Sequence, residues 1–319
     1  MTDWYSSRGT TRMQEKIFMF HLTRAFRLLQ RGCPVALACL LTLAGARAQD
    51  ATRVNRASME PVQVPSHGAL LNGIVYVADG AEPHPVVVLL HGFPGNEQNL
   101  DLAQDIRRAG WDVLFFHYRG SWGSPGDYSF SNGLEDTAAA VAYLRDAAVA
   151  KKLRSDPSRI VLLGHSVGGF NAVEVGSADP NVAAVGIISA ADMAGRIPPH
   201  IPKFAEGLAR KKVADALASQ GMAPLHGCTP ETLAQDVLDH AAAWRWEPLA
   251  KGLASRPFLA VTSDDGNAKS NNDLAELLRK DGDTHVTAEH FATDHSYSDK
   301  RQELAAVVVK WLQGLPSRQ

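Results

Sequence analysis

The stretch RIVLLGHSVGG (residues 159–169) decides how the rest of the chain reads. Its first half is a continuous apolar run rich in branched side chains, the pattern of a buried strand. The segment VGGFNAVEVG (residues 167–176) has helical spacing instead. Between the two, Gly164-His165-Ser166-Val167-Gly168 puts a serine at the apex of a sharp strand-to-helix turn. That is the context in which G-x-S-x-G presents a nucleophile. The reason is steric: a residue at such an apex has strained backbone angles, and glycines two before and two after it remove the Cβ atoms that would clash. The hydroxyl then stands clear of the sheet edge, with a helix N-terminus behind it to favour developing negative charge.

Working outward, strands and helices alternate. Residues 73–78, 85–92, 111–118, 159–165, 182–190 and 257–263 read as short apolar strands, with a further strand near 284–290. Helical periodicity marks 100–110, a segment opening at Ser131, 167–176, a region near 272–280 and a closing helix near 299–312. Strands joined through helices imply parallel crossovers, hence a mostly parallel central sheet with helices on both faces. Residues from about 193 to 255 interrupt the rhythm with further helical segments and Pro- and Gly-containing turns. They are expected to form an inserted helical cap over the C-terminal edge of the sheet; an enlarged crossover is the other reading.

A serine hydroxyl is a poor nucleophile at neutral pH, so Ser166 requires a base, and the base an orienting carboxylate. On this architecture the chain order is serine, acid, histidine. Of twelve histidines, three follow the strand 257–263. His295, in the loop after the last strand, is favoured as the base; His285 starts that strand on the wrong edge, and His290 packs or is solvated at its end. The acid is read as Asp265, with Asp264 and Asp192 as alternatives at neighbouring strand ends. His91-Gly92-Phe93-Pro94-Gly95 follows another apolar strand, and its turn points the Phe93 N–H at the same place as that of Val167. Two such donors make an oxyanion hole. His91 is read as holding the turn. Trp122, Tyr128 and Trp244 are candidate lining for a substrate pocket under the cap, or plain core.

The first 48 residues read differently from the rest. Arg24, Arg27 and Arg31 precede an apolar run over 33–46, too short to span a bilayer, and Ala46-Arg47-Ala48 supplies small residues for a signal peptidase. A cleaved secretory signal is expected, with Met13 or Met19 as alternative starts, export to the periplasm or medium, and no stable membrane anchor. Cleavage after Ala48 removes seven of the 32 basic and two of the 34 acidic residues, leaving 25 against 32 and a net charge of −7. Cys228 is then the one cysteine left of three, so no intramolecular disulfide forms. The acidic balance argues against a nucleic-acid partner.

These residues together resemble the α/β-hydrolase family over roughly residues 64–315. The loop Tyr118-Arg119-Gly120-Ser121-Trp122-Gly123-Ser124 is similar to the one after the fourth strand in that family, and Gly168-Gly169 is similar to the G-x-S-x-G-G of prolyl oligopeptidase relatives. The chain lacks their propeller, and it has His-Gly-Phe-Pro where hormone-sensitive-lipase-like esterases carry His-Gly-Gly-Gly. The resemblance implies acyl transfer to water: Ser166 attacks a carbonyl, His295 takes and returns the proton, Asp265 orients His295, and the amides of Phe93 and Val167 hold the oxyanion. No metal or other cofactor is expected, since H-E-x-x-H and G-x-G-x-x-G are both absent. A serine at the elbow argues against epoxide and haloalkane hydrolases. The expected partner is a small-molecule ester or amide. The leading reading is a serine hydrolase of carboxylic esters, with a peptidase or amidase, or a catalytically silent binding protein of the same fold, as alternatives. Lys203, Arg210, Lys211 and Lys212 make the cap's polar face basic, unlike the apolar lid of a lipid-active lipase.

Overall fold

The structure, a computed structural model, describes residues 55–81, 83–195, 197–280 and 285–316. The signal segment read over residues 1–48 lies outside the described residues. Within the unit Ala57–Gln319, the strands are β1 (Ser58–Ser66), β2 (Ala69–Val77), β3 (His84–Leu90), β4 (Asp112–Phe116), β5 (Ser155–His165), β6 (Ala184–Ile188), β7 (Phe258–Ser263) and β8 (Val286–Phe291). They form one eight-stranded sheet in the order β1-β2-β4-β3-β5-β6-β7-β8. From β4 to β8 all neighbours are parallel, whereas β1, β2 and β4 pair antiparallel. The α/β class and mostly parallel sheet therefore stand as expected from the sequence. The hairpin partner β1 lies outside the strands read from the sequence; it carries Pro61 and Pro65, which are tolerated at an edge, where β1 lies.

The helices are α1 (Leu100–Arg108), α2 (Phe130–Arg145), α3 (Ala147–Leu153), α4 (Val167–Ala178), α5 (Lys203–Ala218), α6 (Pro230–His240), α7 (Trp246–Leu253), α8 (Ala268–Lys280) and α9 (Arg301–Gln313). Alternation along the central strands divides the core between the two faces of the sheet. Val86, Val88, Leu90, Ile160 and Leu162 pack with side chains of α2, α4, α7 and α8. Val87, Leu89, Val161 and Leu163 pack with α1 and α9, through Ile106, Val308 and Trp311. Strands buried on both faces explain why the sequence shows unbroken apolar runs instead of alternation.

Between β6 and β7 lie α5, α6 and α7. The last of these is not cap. Its Trp246, Ala250 and Leu253 are buried, and a Cβ on Gly252 would stand 2.4 Å from the Ser177 carbonyl oxygen, so α7 packs tightly on α4 as the β6–β7 crossover helix. The expected cap of 193–255 thus narrows to α5, α6 and their flanking turns. The α5–α6 connection docks on the loop after β4: the Trp122 N–H donates to Pro224 O at 3.0 Å, Tyr128 N–H to His226 O at 3.0 Å and His226 N–H to Gly120 O at 2.8 Å. No helix among the described residues is long and apolar enough to cross a membrane.

Candidate active site

The sheet order reverses at β3, which has β4 on one side and β5 on the other. Open α/β sheets bind ligands outside the C-terminal strand ends at such a switch point. Parallel register brings these ends level: Leu90 pairs with Gly164, His165 with Ile188, Ile188 with Val261, and Val261 with Glu289. The turns after β3, β5, β7 and β8 therefore open on one edge.

At the end of β5, Ser166 has φ 56° and ψ −120°. This strain persists because the surroundings leave no alternative. A Cβ on Gly164 would fall 1.9 Å from the Gly168 carbonyl oxygen, and one on Gly168 would fall 2.1 Å from that of Leu90. The Ser166 N–H donates to Ile188 O at 3.0 Å, and its carbonyl accepts from the N–H of Gly169 and Ala191. Ser166 is only 9% exposed, at the N-terminus of α4.

The turn after β3 abuts this serine: a Cβ on Gly92 would meet Ser166 Cβ at 2.8 Å and Oγ at 3.3 Å. His91 holds the turn as expected, its Nδ1–H donating to Gly92 O at 2.8 Å. Burial, aided by His117, lowers the His91 pKa to about 3, so the ring is neutral. Tyr118 donates its hydroxyl proton to His91 O at 3.1 Å. Trp122 Nε1–H donates to Pro94 O at 2.9 Å from the far side of the turn. The N–H groups of Phe93 and Val167 take no backbone acceptor among the described residues.

The three candidate acids are separated by their surroundings. His295 Nδ1 lies 2.5 Å from Asp265 Oδ2, with the Asp265 side chain 4% exposed. Burial alone would raise the Asp265 pKa, but hydrogen bonds from His295, the Asn267 N–H and the Ser189 hydroxyl hold it well below the usual carboxylate range. Asp264 points to solvent and pairs with His290 Nε2 at 3.2 Å. Asp192 accepts from the Gly195 N–H at 2.7 Å, and its pKa is raised by burial. Asp192 and Asp264 are thus engaged elsewhere. His285 precedes β8 at the opposite end of that strand, its carbonyl accepting from the Phe258 N–H.

Three residues that the sequence reading missed support the pair. His165 Nε2–H donates to the His295 carbonyl oxygen at 2.8 Å. Ser189 Oγ lies 2.9 Å from both Ser263 Oγ and the Tyr297 hydroxyl, a buried network behind Asp265. His165 stood in the motif itself at a position the pattern leaves free; for Ser189 and Tyr297 the sequence carries no signal. The three candidate pocket residues differ in their surroundings. Tyr128 packs on Phe93 and Phe130, and Trp244 on Phe170 and His240, both inside the core. Trp122 alone of the three is open to solvent, at 37%. No metal-holding cluster of His, Cys, Asp or Glu occurs among the described residues.

The family model described as "Alpha/beta hydrolase family" matches residues 87–307, from within β3 to within α9, and so takes in the turns that build this edge. The chain belongs to the alpha/beta hydrolase family. No curated protein sequence matches it. This alpha/beta hydrolase is similar in structure to a hyperthermophilic esterase from the archaeon Pyrobaculum calidifontis, with 20% identity and a TM-score of 0.58 over 81% of this chain and 87% of that one. It is also similar to EstE1, a thermostable carboxylesterase cloned from a metagenomic library (20% identity, TM-score 0.58, 86% and 95% covered). Est1E from Butyrivibrio proteoclasticus, solved with ferulic acid bound, is a third (18% identity, TM-score 0.60, 80% and 98% covered). At these identities the likeness is one of fold.

Proposed function

We propose that the chain is a serine hydrolase of carboxylic esters, acting through an acyl-enzyme on Ser166. The observation that carries this reading is the pairing of a strained, glycine-walled Ser166 with an Asp265–His295 couple on the same sheet edge. Because Asp265 takes the Nδ1–H of His295, Nε2 is left as the base for the Ser166 hydroxyl. Ser166 Oγ attacks the ester carbonyl carbon as His295 accepts its proton. The developing oxyanion is received by the N–H groups of Phe93 and Val167, the latter at the positive end of α4. Collapse of the tetrahedral intermediate breaks the ester C–O bond, and His295 returns the proton to the leaving alcohol. Water, deprotonated by His295, then releases the acid and restores Ser166.

Ester over amide specificity is favoured by the esterases among the similar structures. The full chain is assayed with p-nitrophenyl esters of increasing acyl length and with aminoacyl anilides, beside Ser166→Ala. Ester turnover that falls by at least about 10⁴-fold in the variant is expected; equal turnover by both proteins defeats the mechanism, and anilide cleavage without ester cleavage moves the reading to a peptidase.

Export, to the periplasm or the medium, is the accompanying proposal, resting on the arginine cluster, apolar run and Ala46-Arg47-Ala48. Protein recovered from the exported fraction then begins at Gln49; an intact N-terminus there contradicts it.

A further inference from the structure

The x position before the nucleophile in G-x-S-x-G is free as far as the pattern goes, yet here it holds a histidine that reaches across to the candidate base. His165 is 3% exposed. Its Nε2 lies 2.8 Å from the carbonyl oxygen of His295, and the two imidazole rings stand 4.6 Å apart, centroid to centroid, tilted by 39°. We infer that His165 is a positioning residue for His295: it clamps the His295 peptide with an N–H donor and walls its ring, so that the elbow carrying the nucleophile also places the base.

This rests on the reading of His295 as base. Three features argue for it. First, a carbonyl only accepts, so Nε2 of His165 carries the proton, and Nδ1 is buried with no hydrogen-bond partner. His165 is therefore a neutral ring in one tautomer. Burial keeps it so, with the charge of a protonated His295 next in weight and Arg301 adding to it against Asp265; its pKa falls to about 3. A neutral neighbour does not repel the imidazolium that His295 becomes during turnover.

Second, His295 lies outside regular structure, between the end of β8 at Phe291 and the start of α9 at Arg301. The other anchors of this loop hold its neighbours. Asp294 Oδ1 accepts from the N–H groups of Ser296 and Ser298, Arg301 Nη1 donates to Ser296 O at 2.9 Å, and the Tyr297 hydroxyl meets Ser189. The bond from His165 takes the carbonyl end of the His295 peptide and ties it to the elbow, while Asp294 holds the Ser296 N–H end from within the loop. Third, His165 is covalently next to Ser166, and both are tied to β6, His165 through its pairing with Ile188 and Ser166 through its N–H to Ile188 O. A shift of the elbow therefore carries the base with it and preserves their relative placement.

The test compares His165→Met, which keeps side-chain length without the donor, with His165→Gln, which keeps an N–H donor, and with His295→Ala, all in the full chain. With p-nitrophenyl acetate, the Met variant is expected to lose about 10- to 100-fold in kcat, the scale of a small misplacement of a reacting group, with KM within about twofold. The Gln variant is expected to regain most of that loss. A Met variant with wild-type kcat overturns the inference, as does an equal loss in Met and Gln variants. Should the Met variant not fold, imidazole ¹⁵N NMR of the wild-type chain decides: His165 is expected to remain the neutral Nε2–H tautomer between pH 5 and 9, and titration of that ring within the range overturns the inference. An active His295→Ala protein defeats the reading of the base instead, so the two failures are told apart.

Discussion

Asp264 and Asp265 are adjacent in sequence and opposite in circumstance. The side chain of Asp265 is 4% exposed and that of Asp264 is 65% exposed. Burial would by itself make Asp265 harder to ionise, yet three donors reverse this and keep it charged. On the proposal that His295 is the base, a charged acceptor on Nδ1 fixes the tautomer that role requires. Asp265→Asn is accordingly expected to lower kcat by about 10³- to 10⁴-fold, whereas Asp264→Asn stays within about twofold of wild type, since the Asp264 side chain pairs with the half-exposed His290 and not with His295. Ester kinetics on the two variants decide it, and a larger loss in the Asp264 variant would falsify the assignment. The sequence brought both carboxylates to the end of β7. Which one turns inward depends on the local bond from the Asn267 N–H and on the Ser189 hydroxyl, and the latter comes from the end of a strand distant in sequence that no local pattern announces.

Elements of strong periodicity were legible: β5, α4 and the strands flanking them follow from apolar runs bounded by glycines and polar turns. What a helix packs against was not. The helix α7 is as legible a helix as α5 and α6, yet it packs backbone-close on α4, with Gly252 against Ser177. The helix α4 itself carries one misfit. Its Glu174 has a buried Oε1 without a hydrogen-bond partner, and burial raises its pKa to about 8. In the unfolded chain a glutamate titrates near 4.3. Between those values the folded state binds more protons than the unfolded one, so this group's contribution makes the fold less stable as pH rises through the window and changes no further above it. Glu174→Gln removes the titration. Its thermal midpoint, measured against wild type, is expected to gain about 2 °C or more between pH 5.5 and pH 8.5; a difference that does not change with pH counts against the account.

At the scale of the whole molecule, α5 and α6 share one core with the sheet. Leu217 of α5, Leu233 and Val237 of α6, and Ala241 and Trp244 beyond it belong to the same buried cluster as Val88, Leu162 and Phe170. The α5–α6 segment cannot lift away fully without exposing that cluster, so calorimetry is expected to show a single unfolding transition, and a separate low-temperature transition for that segment would refute this. The exposed Phe204 and Leu208 on α5 lie outside that shared core. The sequence by itself determined the class of fold, the parallel sheet, the serine elbow and the histidine after the last strand, because these rest on local sterics and on periodicities that neighbouring residues impose. The tertiary structure alone decided which carboxylate meets His295, that α7 belongs to the sheet layer, that Tyr128 and Trp244 are core, and that His165 grips the His295 loop. Each of those depends on which segments, distant in sequence, compete for the same buried space and the same hydrogen-bond donors.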